Sequence, residues 1–325
     1  MRIHVLGNYM NAHFIHVDRL PVEGESLAAR RVFQEHGGKG FNLGVGLHRL
    51  GAAVNMLLPV GNDAAGVAVT RILAEEGMDA AQVLSLGDAS GFGVGFIAPD
   101  GSNFLAAHLG ANAMLTPAHV DAACAGLGPG DWLLAHFELP FDTVRHALRL
   151  AHAAGVTTYL NPSPWRPIGS ELLDLVDVLV VNETEAASLF GVLDMARAEP
   201  AVWAANLPSL AAAIGWRGRA LVVTLGAAGC VALDATRQVH AVAAPAIEQV
   251  DATGAGDAFG CGLVEALSRG APLAEALHLG NRCGAHIAAR EGILAHLPRQ
   301  HELAGQSSLR VKRGAIQTDV VDNSP

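Results

Sequence analysis

Aromatic side chains make up 5% of this 325-residue chain, charged ones 16%, and cysteine occurs four times. Each shortage excludes something. The 21 basic residues are outnumbered by 31 acidic ones, for a formal charge of −10, so the basic footprint that nucleic-acid binding needs is missing. The few basic residues at 310–313 read as a solvated face. Cys124, Cys230, Cys261 and Cys283 fall in no CxxC pair and are too sparse for a disulfide scaffold, so they read as buried, reduced thiols of a cytoplasmic protein. No apolar run reaches the length of a bilayer helix. The uncharged, strongly apolar stretch near 221–233 is interrupted by Gly226 and Gly229 and suits a strand, a turn and a strand. The apolar run at residues 1–7 is too short for a signal peptide and reads as a first strand ending in Gly7. After it, Gly7-Asn8-Tyr9-Met10 lacks the glycine fingerprint of a dinucleotide fold, which excludes a dehydrogenase of that type. The fifteen histidines include no H-x-H or HExxH spacing, so they read as ordinary surface or core residues.

Hydrophobic residues are plentiful at 51%, with a mean hydropathy of +0.32. Short apolar runs at 131–136, 157–160, 176–181 and 221–224 read as buried strands. Longer Ala/Leu-rich stretches between them read as helices; at 140–154, Val144, Leu148 and Ala151 share one face before Gly155 ends the pattern. That alternation predicts an α/β fold with a doubly wound, mostly parallel sheet. Residues 11–36 and 91–108 differ, alternating apolar and polar side chains around the turn Pro99-Asp100-Gly101-Ser102, and predict a small antiparallel β unit. Residues 1–304 then form one domain carrying this unit, and the polar tail 305–325 is expected to be disordered.

The most informative segment is Asp251-Ala252-Thr253-Gly254-Ala255-Gly256-Asp257, two carboxylates around a small-residue turn that opens an apolar-periodic helix at 258–268. Gly254, Ala255 and Gly256 leave backbone N–H groups uncovered, and the helix adds the positive end of its dipole, which makes an anion hole. Asp257 in the first turn could take a proton from an attacking hydroxyl while the hole holds the phosphoryl charge. A Gly-rich turn with a capping Asp is the competing reading. A second segment of the same kind, Gly37-Gly38-Lys39-Gly40-Phe41-Asn42, precedes the apolar run 43–51.

Two such turns, in this order and some two hundred residues apart, resemble the paired signatures of the PfkB carbohydrate kinases, ribokinase branch. Gly110-Ala111-Asn112-Ala113, Asn161-Pro162-Ser163-Pro164, Asn182-Glu183-Thr184-Glu185 and the stretch from Thr224 to Gly229 follow in the family's order, so the resemblance covers about residues 1–300. It implies an ATP-dependent kinase for a small sugar. Asp257 is then the catalytic base and Gly254, Ala255 and Gly256 the donors for the developing charge. Gly37, Gly38, Lys39, Asn42 and Glu138 would hold the sugar, although Glu138 also reads as a helix-start charge and Lys39 as a solvated lysine. Asn182, Thr224, Gly226, Gly229 and Asn281 would line the nucleotide. The resemblance further implies that Asn182 and Glu185 organise a hydrated Mg2+, that Asp251, Thr253, Ala289 and Gly292 bind K+, and that the β unit is a lid over the sugar and a homodimer contact.

The resemblance also has a gap. Ribokinases carry Asn and Asp in the loop after the first strand, and an ungapped reading puts Met10 and Ala12 there, with Asn8, Asn11 and His13 nearby but shifted. Losing a carboxylate that grips vicinal hydroxyls leaves the identity of the sugar open. His13 or His108 becomes a candidate sugar contact. A nucleoside kinase of the same family and a catalytically silent sugar-binding module are the alternatives.

Overall fold

Apolar runs of four or five residues are too short for buried helices and form strands instead. In the computed structural model, which describes residues 1–100 and 102–304, thirteen strands follow in chain order. They are β1 (Ile3–Leu6), β2 (Met10–His16), β3 (Arg31–Gly37), β4 (Val54–Val60), β5 (Val83–Ser85), β6 (Gly91–Ile97), β7 (Asn103–His108), β8 (Trp132–His136), β9 (Thr157–Asn161), β10 (Val178–Asn182), β11 (Ala220–Thr224), β12 (Cys230–Asp234) and β13 (Val239–Val242). The tail expected to be disordered, and Gly101 of the expected lid turn, lie outside the described residues.

Nine strands build the main sheet in the order β13-β12-β11-β10-β9-β8-β1-β4-β5. All neighbours pair in parallel except β12 with β11 and β13 with β12, which turn back as an antiparallel edge. Because every strand is covered on both faces, its residues alternate between two cores. Val5, Leu134, Val180 and Val222 join Phe41, Leu47, Leu263 and Leu277 on one side. Leu6, Leu133, Val181 and Val223 join Leu148, Trp203 and Leu207 on the other. Strand order reverses between β1 and β8, and in such sheets ligands collect in the crevice at that reversal, outside the carboxyl ends of the strands. Asn8, Glu138, Asn161, Asn182 and Thr224 all lie at those ends or just beyond them.

The second sheet, β3-β2-β6-β7, has antiparallel outer pairs around a parallel central pair, β2 with β6. Its inner face carries Phe14, His16, Phe33 and Glu35 toward the main sheet's loops. Alternation along β2 puts His13 on the other face, where its ring lies 5.1 Å from that of Phe92, the residue opposite His108. The register thereby places both candidate histidines on the face opposite Phe14 and Glu35.

Candidate active site

Two helix starts converge on the crevice. The helix Lys39–Arg49 begins four residues before the apolar run that announced it, so Lys39 and Asn42 stand in its first turn rather than in a loop. Gly38 is forced there by backbone shape. Its φ of 108° suits glycine, and a Cβ would lie 2.6 Å from the Asn8 carbonyl oxygen. The helix Ala255–Ser268 likewise starts early, with Gly254 capping it at φ 77° and Asp257 in the first turn. A Cβ on Gly254 would come within 2.8 Å of the Ile293 side chain.

Asp257 is the meeting point. Its side chain is 11% exposed, its Oδ1 lies 3.8 Å from Lys39 Nζ, and its Oδ2 accepts a 2.8 Å hydrogen bond from Asn42 Nδ2. Burial pushes the carboxyl up from the usual aspartate range, while the Lys39 charge and the Asn42 hydrogen bond pull the other way. Burial alone would depress the Lys39 ammonium, but Asp257, Glu138 and Glu185 around it outweigh that and hold it above the ordinary lysine range. Glu138 is tied into the same frame. Its Oε2 accepts from Asn8 Nδ2 at 2.7 Å and from the Lys39 backbone N–H at 3.2 Å, so it serves the convergence of β1 and β8 and not the helix start that follows.

Across the cleft, Asn182 and Glu185 form a reciprocal capping box. Asn182 Oδ1 accepts from the Glu185 N–H at 2.9 Å, and Glu185 Oε2 from the Asn182 N–H at 3.0 Å. This fixes Glu185 on the wall of a small cavity shared with Lys39, Asn161, Gly256 and Asp257. A cavity of about 410 Å³ continues outward past Thr224, Gly226, Gly229 and Gly256. Asn281 lines it but spends its amide N–H on the Val242 carbonyl at 2.9 Å, which pins the chain leaving β13 as the cavity wall. Asp251 Oδ1 accepts from both the N–H and the hydroxyl of Thr253, at 2.9 and 2.7 Å. Ala289 and Gly292 lie on the loop facing it, where Gly292 shares a cavity with Asp251 and Thr253.

Several residues here have roles that the sequence did not assign to them. Asn8 bridges the Gly40 N–H and Glu138. Asn112 holds Tyr9 by both backbone groups, at 3.0 and 2.8 Å. His136 is fully buried beside Gly40. Spatial partners more than a hundred residues away define the first two, and no local pattern marks such pairs.

Known proteins supply the remaining comparison. The ribokinase of Haemophilus influenzae is 31% identical over 300 residues, covering 92% of this chain and 95% of that protein. The deoxyribokinase of Salmonella typhimurium is 31% identical over 265 residues, 80% and 84% of the two chains. A solved ribokinase from Cryptococcus neoformans in complex with ADP superimposes with a TM-score of 0.78 at 25% identity, covering 94% and 99%. Residues 2–299 match the model of the pfkB family carbohydrate kinases, and the chain belongs to that family.

Proposed function

We propose that this carbohydrate kinase transfers the γ-phosphoryl group of ATP to a hydroxyl of a small sugar of the ribose or deoxyribose type. The observation that carries the reading is the Asp257 carboxylate, almost buried between Lys39 and Asn42 where two helix starts meet. A sugar hydroxyl bound against Glu138, Lys39, Asn42 and the Gly37-Gly38 turn gives its proton to Asp257 as its oxygen attacks phosphorus. The N–H groups at Gly254, Ala255 and Gly256, at the start of a fourteen-residue helix, receive the charge on the transferring group. Thr224, Gly226, Gly229 and Asn281 border the nucleotide, and residues 1–304 act as one kinase unit with its lid.

Two ions belong to this reading. Glu185 and Asn182 offer hard oxygen at the cleft wall, which suits a hydrated Mg2+, and Asp251, Thr253 and the carbonyls of Ala289 and Gly292 offer the oxygen donors K+ prefers. Bound there, Mg2+ would neutralise phosphate charge and K+ would stiffen the turn that starts the helix at Ala255. The outer face of the lid exposes Val32, Phe92 and Phe104 at 60, 40 and 58%, an apolar patch suited to a homodimer contact. Four buried free thiols suit a reducing, cytoplasmic setting, and no helix among the described residues is long and apolar enough to cross a membrane.

The nucleoside-kinase alternative is not favoured, since the relatives near 30% identity are named for ribose and deoxyribose. The silent-module alternative has to explain a carboxylate held ready beside a cation. ADP release on ribose, deoxyribose, fructose and nucleosides, with and without potassium, tests all three. Turnover on a pentose, enhanced by potassium, is expected; an absence of sugar-dependent ADP release overturns the reading.

A further inference from the structure

Glu35 is a buried carboxylate, 8% exposed, that neither the sugar side nor the phosphate side of the proposed reaction uses. It lies on β3, two residues before the strand ends at Gly37 and leads into Gly38 and Lys39. Its Oε1 accepts from the Leu294 N–H at 2.8 Å and from the Ile293 N–H at 3.3 Å. Four residues earlier on the same strand, Arg31 reaches Glu291 with an N–O distance of 2.8 Å. Around these two ties the lid and the body stand apart, separated by a cavity of about 450 Å³ between Phe14, Phe33 and Leu105 on one side and Asp251, Thr253 and Ile293 on the other. The Arg31 pair is half exposed and screened by water, so it holds little. The Glu35 contact is sheltered and charge-assisted, and holds more firmly than the exposed ion pair.

The segment that Glu35 grips is itself packed on the phosphate side. The Ile293 side chain fills the space beside Gly254 so closely that a Cβ there would sit 2.8 Å from it. One turn earlier, the Ala288 carbonyl accepts from the Val250 and Asp251 N–H groups at 2.8 and 3.2 Å. Segment 288–294 therefore meets both the lid strand and Gly254 at Ile293 and holds Val250 and Asp251 at its Ala288 end, a contiguous chain of packed and hydrogen-bonded groups.

We propose that Glu35 is a positioning residue that locks the lid strand, the 288–294 segment and the Gly254–Gly256 turn into one mechanical unit, so that sugar bound at the Gly37–Lys39 end and nucleotide bound at the Gly254 end strengthen each other's binding. The inference rests on the sugar-kinase reading above. Such coupling is reciprocal, so it is measured from either ligand.

The test is the ADP affinity of the full chain, by calorimetry, without and with saturating ribose or whichever pentose the wild type turns over. Wild type is expected to bind ADP about fivefold or more tightly with the sugar present. Glu35→Ala should bring that ratio close to one and lower kcat. Glu35→Gln keeps an oxygen that can accept the same two N–H groups, and should retain most of the coupling. If Glu35→Ala does not fold, Glu35→Asp, one methylene too short to reach, takes its place with the same expectation. Three results overturn the proposal: a wild type whose ADP affinity ignores the sugar, a Glu35→Ala protein with unchanged coupling, or Ala and Gln variants that lose stability alike while coupling persists. A wild type that turns over no sugar sinks the kinase reading instead. An active wild type with coupling intact in Glu35→Ala sinks this inference alone.

Discussion

Asn42 Nδ2 donates to Asp257 Oδ2 across 2.8 Å, joining first-turn residues of two helices that are 215 positions apart in the chain. The bond aims the carboxylate. It occupies one oxygen and leaves Oδ1, 3.8 Å from the Lys39 ammonium, on the cleft side. As the base of the proposed reaction, a carboxylate restrained in this way loses little when a hydroxyl arrives, because its orientation is already set.

Asp257→Asn keeps the shape and removes the base. kcat should fall by about a thousandfold or more, the upper part of what general-base loss costs, while ADP affinity and the folded state persist. Steady-state kinetics beside calorimetric ADP titration checks this, and near-wild-type turnover refutes the assignment.

The acid limb of the rate profile should report the same carboxylate. Burial raises the Asp257 pKa and Lys39 opposes the rise. A base must be ionised to work, so kcat/KM climbs with pH through that raised value. Lys39→Met removes the opposing cation, and its acid limb should move to higher pH; a limb that stays put or moves down shows that another group controls it.

His136 gives a stability signature in the same range. It is fully buried, its Nδ1 accepts the Glu138 N–H at 3.1 Å, and burial together with the Lys39 charge lowers its pKa to about 4. A depressed histidine stabilises the fold above its unfolded pKa near 6.5, and that contribution is lost as pH falls through the folded value. Urea unfolding should lose stability on the order of 3 kcal/mol between those limits from this group, and His136→Gln should flatten the slope. Parallel pH curves for the two proteins would remove His136 as the cause.

Gly254→Ala tests the turn. The backbone there is left-handed and the new methyl meets Ile293 at 2.8 Å, so a cost of about 1–3 kcal/mol is expected. If these N–H groups receive the phosphoryl charge as proposed, kcat should drop further than the stability loss explains, because displacing them removes that contact. A variant equally destabilised in the second core, such as Val181→Ala, provides the comparison and should keep its kcat.

The fold was legible because strand and helix periods are local, and the runs at 131–136, 157–160 and 221–224 needed only their neighbours to declare themselves. The Asp257 turn was legible for the same reason. Helix starts were misjudged by three or four residues, since Gly38 and Gly254 open their helices through positive φ values that no apolar period reports. The parallel β2–β6 pair was missed because alternation fixes the faces of a strand, not the direction of its partner. Glu35 and Asn8 stayed hidden because their partners come from other elements of the fold.

The same cross-strand geometry bears on the departure at Ala12. Its position lacks the carboxylate that ribokinases place there, and the antiparallel register sets it directly opposite Glu35 on the inner face of the lid. Like charges directly opposite on paired strands repel. Ala12→Asp should therefore lose about 1 kcal/mol of stability without improving the KM for ribose. In a Glu35→Gln background the new Asp faces a neutral amide, the penalty should vanish, and the ribose KM should fall. Urea unfolding of the two single variants and the double variant closes the cycle. If the two changes simply add, the carboxylates do not sense each other, and the absence of Asp at position 12 has another cause.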